Sequence, residues 1–540
     1  VLLPPEPSSP PSSGRTRARR LALVGALATS AALGACSLTS LDEFTGGAVD
    51  DAGIDGGPDS GVASSSDSGR ESDGSGPIAG VPKHPPSSIR FRDRDIAAGA
   101  INGTLVVEPA SDESDVRSYK VYWGSDAKTK LSVVATAEKT GLPFTLPLVG
   151  PLPPGATHLL AFSANDVGES TQAAVVGPID NRVTMAPLSA VGGLFPSAAI
   201  DSTNRKLLVA FTDPNAEGRP ALLRCELDGT SCAYHDVSAG QARNNGMPPK
   251  LLLDTIRGKL LVVAQNTAAT GGGLSLLRCE LDGTACTHTD LVGSCGPCGN
   301  DPSAAIDTDA QKLLIVTYDD TVGGKPTLFR CELDGTACTS TDISADQPEG
   351  SGFGPQVLVD RQNKKLLVVT TNYANARKAS LFHCNLDGTS CTHRHISVNQ
   401  PNDSGLSPSA MIDETEGKLL VVTSNGGASN KPWLFRCNLD GTGCTSTDIS
   451  AGQGPLSTVG SVAVLDAENR AFFVVRAWMK PPSLFRCNVD GTGCVHHPLA
   501  DGAAVLAHSP SPVVDPTSGT LVIAATNQET GALVRFSLGL

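Results

Sequence analysis

The sequence predicts an all-β protein, on three observations. Gly (57) and Pro (38) are abundant while aromatics make up only 4%, so turns are frequent and long helices few. An apolar-apolar-Asp signature recurs seven times, ending at Asp201, Asp254, Asp307, Asp360, Asp413, Asp466 and Asp515. Six cysteine pairs recur with it at a single spacing. Composition also bounds function. With 41 basic against 55 acidic residues the chain carries −14, which argues against nucleic acid as a partner, because phosphate contacts need a basic footprint.

Taken in order, the chain opens on an address, residues 1–35. Arg15, Arg17, Arg19 and Arg20 precede an apolar run from Leu21 to Ala35, a basic region followed by an apolar one too short to span a bilayer comfortably. The run ends Leu33-Gly34-Ala35-Cys36, which resembles the lipobox of bacterial lipoproteins. The resemblance implies cleavage before Cys36, acylation of its thiol and new amine, and the lipid bilayer as a partner. Three acyl chains would anchor stably, since each buried methylene contributes about 0.8 kcal/mol. Ser37, where Asp would signal retention, implies sorting to the outer membrane. Residues 36–87 are Gly, Ser, Asp and Pro with little to fill a core, so a disordered acidic tether is expected. A calcium site in its Asp/Gly runs is the less economical reading.

Residues 88–181 alternate in short apolar strands broken by turn residues, among them Leu105-Val107, Tyr119-Trp123 and Leu159-Phe162, which predicts a small β-sandwich. Tyr119-Lys120-Val121-Tyr122 and the stretch from Leu152-Pro153-Pro154-Gly155 to Asn165-Asp166-Val167-Gly168-Glu169-Ser170 resemble a fibronectin type III module.

Residues 182–540 repeat at intervals of 53, five times, and then 49. Each Asp is followed by a short polar turn, a strand such as Lys365-Leu366-Leu367-Val368-Val369, a third strand, and Asp-Gly. A fourth strand is expected to open on the second cysteine, as in Cys232-Ala233-Tyr234-His235-Asp236-Val237. Four antiparallel strands per unit is the blade of a β-propeller, and seven blades are expected. The last repeat stops after its third strand, while Thr184-Met185-Ala186-Pro187-Leu188 lies where an unassigned fourth strand belongs. That N-terminal strand is expected to complete the last blade and close the ring, because an open array leaves unpaired edges.

The pairs Cys225/Cys232, Cys279/Cys286, Cys331/Cys338, Cys384/Cys391, Cys437/Cys444 and Cys487/Cys494 flank Asp-Gly. A two-residue hairpin turn there sets the cysteines opposite one another, with Cα atoms about 4.5–5.5 Å apart. Six hairpin disulfides are expected, each contributing roughly 2–3 kcal/mol, in keeping with an exported protein. Phe536 replaces the first cysteine in the last repeat, whose fourth strand offers no hairpin to staple. Thiolate metal sites fit poorly, as no histidine spacing repeats with the cysteines. Cys295-Gly296-Pro297-Cys298 spells a thioredoxin-type motif, but it lies between two repeats without the strand-to-helix context that activates such a thiol. A loop disulfide between Cys295 and Cys298 is expected.

Features that recur in almost every repeat are read as scaffold: the seven Asp residues as Asx turns, and the Arg recurring at the Arg224 position, replaced by His383 in the fourth repeat and lying on one strand face with Glu226, as part of a structural ion pair between blades. The pattern-breaking aromatics Trp433, Trp478 and Tyr373 are the candidate binding residues, able to stack on a sugar ring or a peptide. No Gly-x-Ser-x-Gly, His-Glu-x-x-His or phosphate loop occurs, His496-His497 point to opposite faces of a strand, and no cofactor or metal is expected. The Asp-Gly-Thr turns resemble those of the sialidase-like propellers, which implies an alternative, a glycoside hydrolase or polysaccharide lyase. The Ser-x-Asp-x-Gly-x-Thr-Trp box itself is absent. The whole resembles repeat-bearing surface lipoproteins of myxobacterial type. The expected function is therefore a non-enzymatic, outer-membrane-anchored binding or adhesion protein whose propeller takes a glycan, peptide or protein. A purely structural envelope component is the third reading.

Overall fold

A computed structural model describes residues 80–538 except 92, 94, 96–98, 178, 180–183, 242–247, 267–272, 292–299, 398, 455–459, 469, 477, 481 and 500–506. Cys36, the leader, most of the tether and the Cys295/Cys298 pair lie outside the described residues. The chain divides into residues 1–74 and 75–540, and all that follows concerns the second unit. Its described residues form strands and four single-turn 3-10 helices. No helix among them is long and apolar enough to cross a membrane.

Alternation over the first hundred described residues yields seven strands: β1 (Pro86–Phe91), β2 (Ala100–Ala110), β3 (Ser118–Gly124), β4 (Lys130–Glu138), β5 (Phe144–Pro151), β6 (His158–Ala164) and β7 (Ala174–Val176). They make two sheets, ordered β1-β2-β5 and β4-β3-β6-β7. Alternate residues Ile89, Phe91, Leu105, Val107, Val121, Leu159 and Ala161 fill one core between them, as two half-buried sheets require. Contacts to this unit begin before the expected boundary at residue 88. Gly80 already accepts a hydrogen bond from Asn165 Nδ2 (2.9 Å), and Lys83 N donates to Asp115 (3.1 Å).

Beyond this, each repeat builds one antiparallel sheet. The fourth is typical: Phe353–Asp360, Lys365–Asn372, Lys378–Asn385 and Thr392–His395, hydrogen-bonded in that order. The second strand is apolar at consecutive positions because both faces are covered. Leu366, Val368 and Phe382 pack on Leu314 and Val316 of the third repeat, while Leu367, Val369 and Leu381 pack on Leu419 and Val421 of the fifth. Every successive pair of sheets shares such a cluster. The seventh and first do so too, through Val522, Ala524 and Leu533 against Leu207, Val209 and Leu223. The strand Thr184–Gly192 pairs antiparallel with Ala532–Leu538 in the seventh repeat, where Thr184 and Ser537 share a hydroxyl hydrogen bond (2.6 Å).

Serines on the first strands tie neighbouring sheets together. Ser197 accepts from Leu251 N (3.0 Å), Ser303 from Val357 N (3.1 Å), Ser409 from Ala463 N (2.9 Å), and Ser511 of the seventh repeat accepts from Ala198 N of the first (2.9 Å).

All six hairpin disulfides form: Cys225–Cys232, Cys279–Cys286, Cys331–Cys338, Cys384–Cys391, Cys437–Cys444 and Cys487–Cys494. Their Cα atoms stand 4.0–4.1 Å apart, closer than the expected 4.5–5.5 Å. The hairpin itself also differs from the expected two-residue turn. Gly229 N donates to Glu226 O, and Glu226 N to Thr230 O (both 2.9 Å), so three residues form the loop, with Gly229 left-handed at φ 80°. That conformation suits Gly, which lacks the Cβ that opposes it. Ser231 (φ 49°) adds a further bulge, which brings Cys232 rather than Ser231 opposite Cys225. Asp228 Oδ1 accepts from the Thr230 amide (2.8 Å) and hydroxyl (2.6 Å), which explains the recurring Asp-Gly-Thr.

The same bulge corrects the place of the second cysteines. Cys232, Cys286, Cys338, Cys391, Cys444 and Cys494 do not open the fourth strands, which start one residue later at Ala233, Thr287, Thr339, Thr392, Thr445 and Val495. The residue before each of these cysteines is left-handed: Ser231, Ala285, Ala337, Ser390, Gly443 and Gly493, with φ of 49–60°. A residue so turned takes no part in regular pairing, so each staple lies just beyond the end of its ladder. The partners are also unequally covered. Cys225, Cys279, Cys331, Cys384, Cys437 and Cys487 are buried among inter-sheet contacts, whereas Cys232, Cys286, Cys338, Cys391, Cys444 and Cys494 are only partly buried.

The repeated charges are likewise arranged differently from expectation. Glu226 pairs with Lys206 of its own sheet, as Glu280 does with Lys259 and Glu332 with Lys312, because paired strands bring them side by side at the sheet end. Arg224 instead lies by the Asp-Gly-Thr turn of the next repeat, where its charge, after the hydrogen bonds from Thr284, helps hold Asp282 below the usual carboxylate range.

Candidate functional site

Six residues before each repeat Asp stands a position that changes from repeat to repeat: Phe195, Pro248, Asp301, Gly354, Ser407, Gly460 and Ser509. In every repeat but the sixth, where Ser461 follows Gly460, the next residue is proline. Proline donates no amide hydrogen, so strand pairing must break there. In the third repeat Asn300 pairs with Tyr318, but the next partners are Ser303 and Val316. The same shift follows Phe353, Leu406 and His508. Asp301, Phe195, Ser407 and Ser509 take left-handed φ of 47–52°, a conformation disfavoured for residues bearing a Cβ.

Phe195, Asp301, Ser407 and Ser509 at such bulges, with Pro248 and Gly460 at the equivalent positions, stand around one cavity of about 540 Å³, to which Lys250, Gln265, Asn300 and Tyr318 also contribute. The cavity thus draws on six repeats. Its volume falls in the range of about 300–1,000 Å³ usual for small-molecule sites.

The wall from the second and third repeats is the most elaborated, and its contacts continue into the fourth. Gln265 Nε2 donates to Asn300 Oδ1 (2.6 Å), and Asn300 Nδ2 donates to Asp320 Oδ2 (2.5 Å). Tyr318 lies beside them, its phenol pKa raised by burial and by the charges of Asp320 and Asp301, so it remains a hydrogen-bond donor. Its ring stacks on Phe353 (centroids 4.6 Å, 30°), which in turn contacts Tyr373 (4.3 Å, 46°). The ladder runs outward from the cavity and ends on Tyr373, which is half exposed. Asp301 is exposed, and its carboxylate reaches across to the fourth repeat. Oδ2 sits 4.0 Å from where a Cβ on Gly354 would stand, so glycine there leaves the space open. On the opposite wall Phe195 meets His508 edge-on (6.1 Å). His508 Nδ1 shares a hydrogen bond with Ser509 Oγ (2.5 Å), and burial lowers its pKa.

The structure does not bring the three candidate aromatics together. Tyr373 ends the ladder, placed by a 3-10 turn that Asn372 caps by accepting from Asn375 N (3.0 Å). Trp433 is a partly buried wedge against Leu367, Leu381 and Phe435 between the fourth and fifth sheets, because its strand position faces the neighbouring sheet rather than a loop. The backbone of Trp478 opens an extra strand beside the seventh sheet, opposite His508. Among the described residues no three metal-ligating side chains cluster. The repeat Asp residues are scaffold, as Asp201 accepting from Thr203 N and Asn204 N (both 3.1 Å) illustrates. Sequence reasoning missed Tyr318, Phe353, Asn300, Asp301 and Gln265. A repeated proline preceded by a residue that does not repeat marks Asp301, with Asn300 just before it and Phe353 just before the equivalent Gly354; Tyr318 and Gln265, on the second strands, carry no such signal.

No protein-family model matches the sequence, and neither does any curated protein. Among solved structures, an auxiliary nutrient binding protein from Bacteroides thetaiotaomicron is 12% identical, covering 85% of this chain and 98% of its own, with a TM-score of 0.36. The β-propeller domain of the Trilobed protease from Pyrococcus furiosus is 11% identical over 64% of this chain and 95% of its own, TM-score 0.40. Polysaccharide lyase Uly1 is 5% identical over 66% and 99%, TM-score 0.42. Likenesses this distant carry no functional argument.

Proposed function

We propose that the chain is an exported, lipid-anchored, non-enzymatic binding or adhesion protein. Its seven repeat sheets act as the blades of a β-propeller, preceded by a fibronectin type III-like sandwich and held from the outer membrane by an acidic tether on acylated Cys36. One observation carries the binding reading: in six of the seven repeats the residue six positions before the repeat Asp, which differs from repeat to repeat, lines one cavity, while the residues common to the repeats are spent on turns, caps and inter-sheet contacts. A protein serving only as scaffold has no need to vary one cavity-facing position among Phe, Pro, Asp, Gly and Ser. The disulfides support export, since such bonds persist in oxidising compartments.

The test uses the full-length protein, screened against immobilised glycans, peptides and proteins while the soluble phase is followed for cleaved product. Retention that Asp301→Lys or Tyr318→Ala abolishes supports a binding mouth. Retention indifferent to both variants moves the site elsewhere, and release of cleaved product overturns the non-enzymatic reading. Acyl labelling of wild type but not Cys36→Ser checks the anchor.

A further inference from the structure

We infer that the cavity takes a neutral saccharide, one sugar ring lying against Tyr318 with its hydroxyls on Asp301 and the Asn300–Gln265 amides. The inference rests on the binding reading above and narrows it to one ligand class.

The backbone at the mouth argues against an added peptide strand. A peptide recruited to a sheet edge is held by a row of main-chain hydrogen bonds. Here the X-Pro bulges interrupt that row in the first strand, as Asp301-Pro302 and Ser407-Pro408 do, and an interrupted edge is a poor template. Recognition therefore falls to side chains.

Those side chains combine two functions in one place. Tyr318 lines the cavity and is held by its stack on Phe353, which fixes an apolar ring surface at little further entropic cost on binding. Beside it stand groups of both hydrogen-bonding senses. Asn300 and Gln265 already orient one another, each amide offering donor and acceptor, and Asp301 offers acceptors only, with no hydrogen bond of its own among the described residues. A sugar presents an apolar C–H face and a rim of hydroxyls that each donate and accept. An apolar peptide side chain would leave Asp301 and the amides desolvated and unmatched, which is costly.

Charge narrows the class. Asp301 and Asp320 both act on the Tyr318 hydroxyl, against the single ammonium of Lys250 among the described residues of the cavity wall. A uronate or other acidic sugar would set like charges together at this wall, a strong device for rejection. A neutral ring meets no such barrier.

The test is calorimetric titration of the full-length protein with neutral oligosaccharides, with uronate oligosaccharides, and with neutral peptides. Variants are Tyr318→Ala, Tyr318→Phe and Asp301→Asn, the last because Asn also tolerates the left-handed φ at an exposed site. Neutral saccharides are expected to bind, about tenfold or more weaker in Tyr318→Ala and about tenfold weaker in Asp301→Asn, while Tyr318→Phe retains most affinity and reports that the fold is intact. Uronates or peptides binding instead, with the same sensitivity to these variants, would overturn the saccharide inference and leave a binding mouth. Neutral saccharide binding that none of the variants changes would overturn the assignment to this cavity. No ligand of any class responding to the mouth variants would overturn both.

Discussion

Arg535 and Asp228 lie 307 residues apart in the chain, yet the Arg535 guanidinium donates from Nη1 to the Asp228 carbonyl oxygen (2.5 Å). The contact joins the last repeat to the hairpin of the first. Arg535 Cδ also lies only 2.8 Å from where a Cβ on Gly229 would stand. In other repeats the arginine at this position acts on the next hairpin through its charge: Arg224 on Asp282, Arg278 on Asp334, Arg330 on Asp387 and Arg436 on Asp490, each adding to the threonine hydrogen bonds that hold the carboxylate below its usual range. In the fourth repeat His383 takes the place of Arg, beside Asp440.

Gly229 is thus required twice, by its φ of 80° and by the approach of Arg535. Gly229→Ala is expected to cost about 1–3 kcal/mol. Adding Arg535→Ala should recover part of that loss, because it removes the steric half and leaves the backbone half. Chemical denaturation of the four members of the cycle checks this, and strictly additive losses would show that the two residues do not interact.

Each hairpin disulfide closes a loop of sequence separation 7, so the chain-entropy model gives about 2–3 kcal/mol apiece. Replacing Cys384 and Cys391 together by Ser should lower stability by about that amount. Thiol alkylation of the unfolded, unreduced protein should leave all twelve hairpin cysteines unmodified, including the partly buried Cys286, Cys338, Cys444 and Cys494.

His393 predicts a pH dependence. Burial first, and the neighbouring His395 second, lower its pKa from 6.5 to about 4; the two rings meet edge-on at 4.4 Å. The unfolded chain binds this proton more readily than the folded one. Its contribution to stability is therefore full above pH 6.5 and is lost as pH falls toward about 4. With partial solvent screening the loss is about 2 kcal/mol. Replacing the imidazole by the apolar ring in His393→Phe, against Phe382, should flatten the fall between pH 6.5 and 4. Unfolding midpoints across that interval give the measurement.

Core and mouth should separate cleanly by substitution. Leu367 is fully buried between the fourth and fifth sheets, and Leu367→Ala should cost about 2–5 kcal/mol with ligand affinity kept in the fraction that folds. Tyr373→Ala, at a half-exposed ring, should change stability by about 1 kcal/mol or less while weakening any ligand that extends beyond the cavity along the ladder. Parallel thermal melts and titrations distinguish the two.

Much of the fold is legible in the chain because it is decided within a repeat. Burial on both faces writes itself as the run Leu366-Leu367-Val368-Val369, and the hairpin as Asp387-Gly388-Thr389 between Cys384 and Cys391. The cysteine pairs need nothing outside their own loop. Where the fourth strand starts was less legible, because the left-handed residue before the second cysteine is Ser, Ala or Gly and carries no common signal. The site was harder still. Tyr373 stood out as a break in the pattern, but so did Trp433, and sequence alone does not tell an aromatic wedge between sheets from an aromatic at a mouth.

By itself, then, the sequence determined an all-β chain of repeated four-stranded units stapled at their hairpins, since those features follow from side-chain alternation and local turn chemistry. Only the tertiary structure decided that Phe195, Asp301 and Ser509 share one cavity, that Tyr318 reaches Tyr373 through Phe353, and that Arg535 meets Asp228. Each of these depends on how one sheet is turned against the next. That angle is set by the packing of Leu, Val and Phe across each interface, with contributions from both neighbours at once, so no single stretch of sequence contains it.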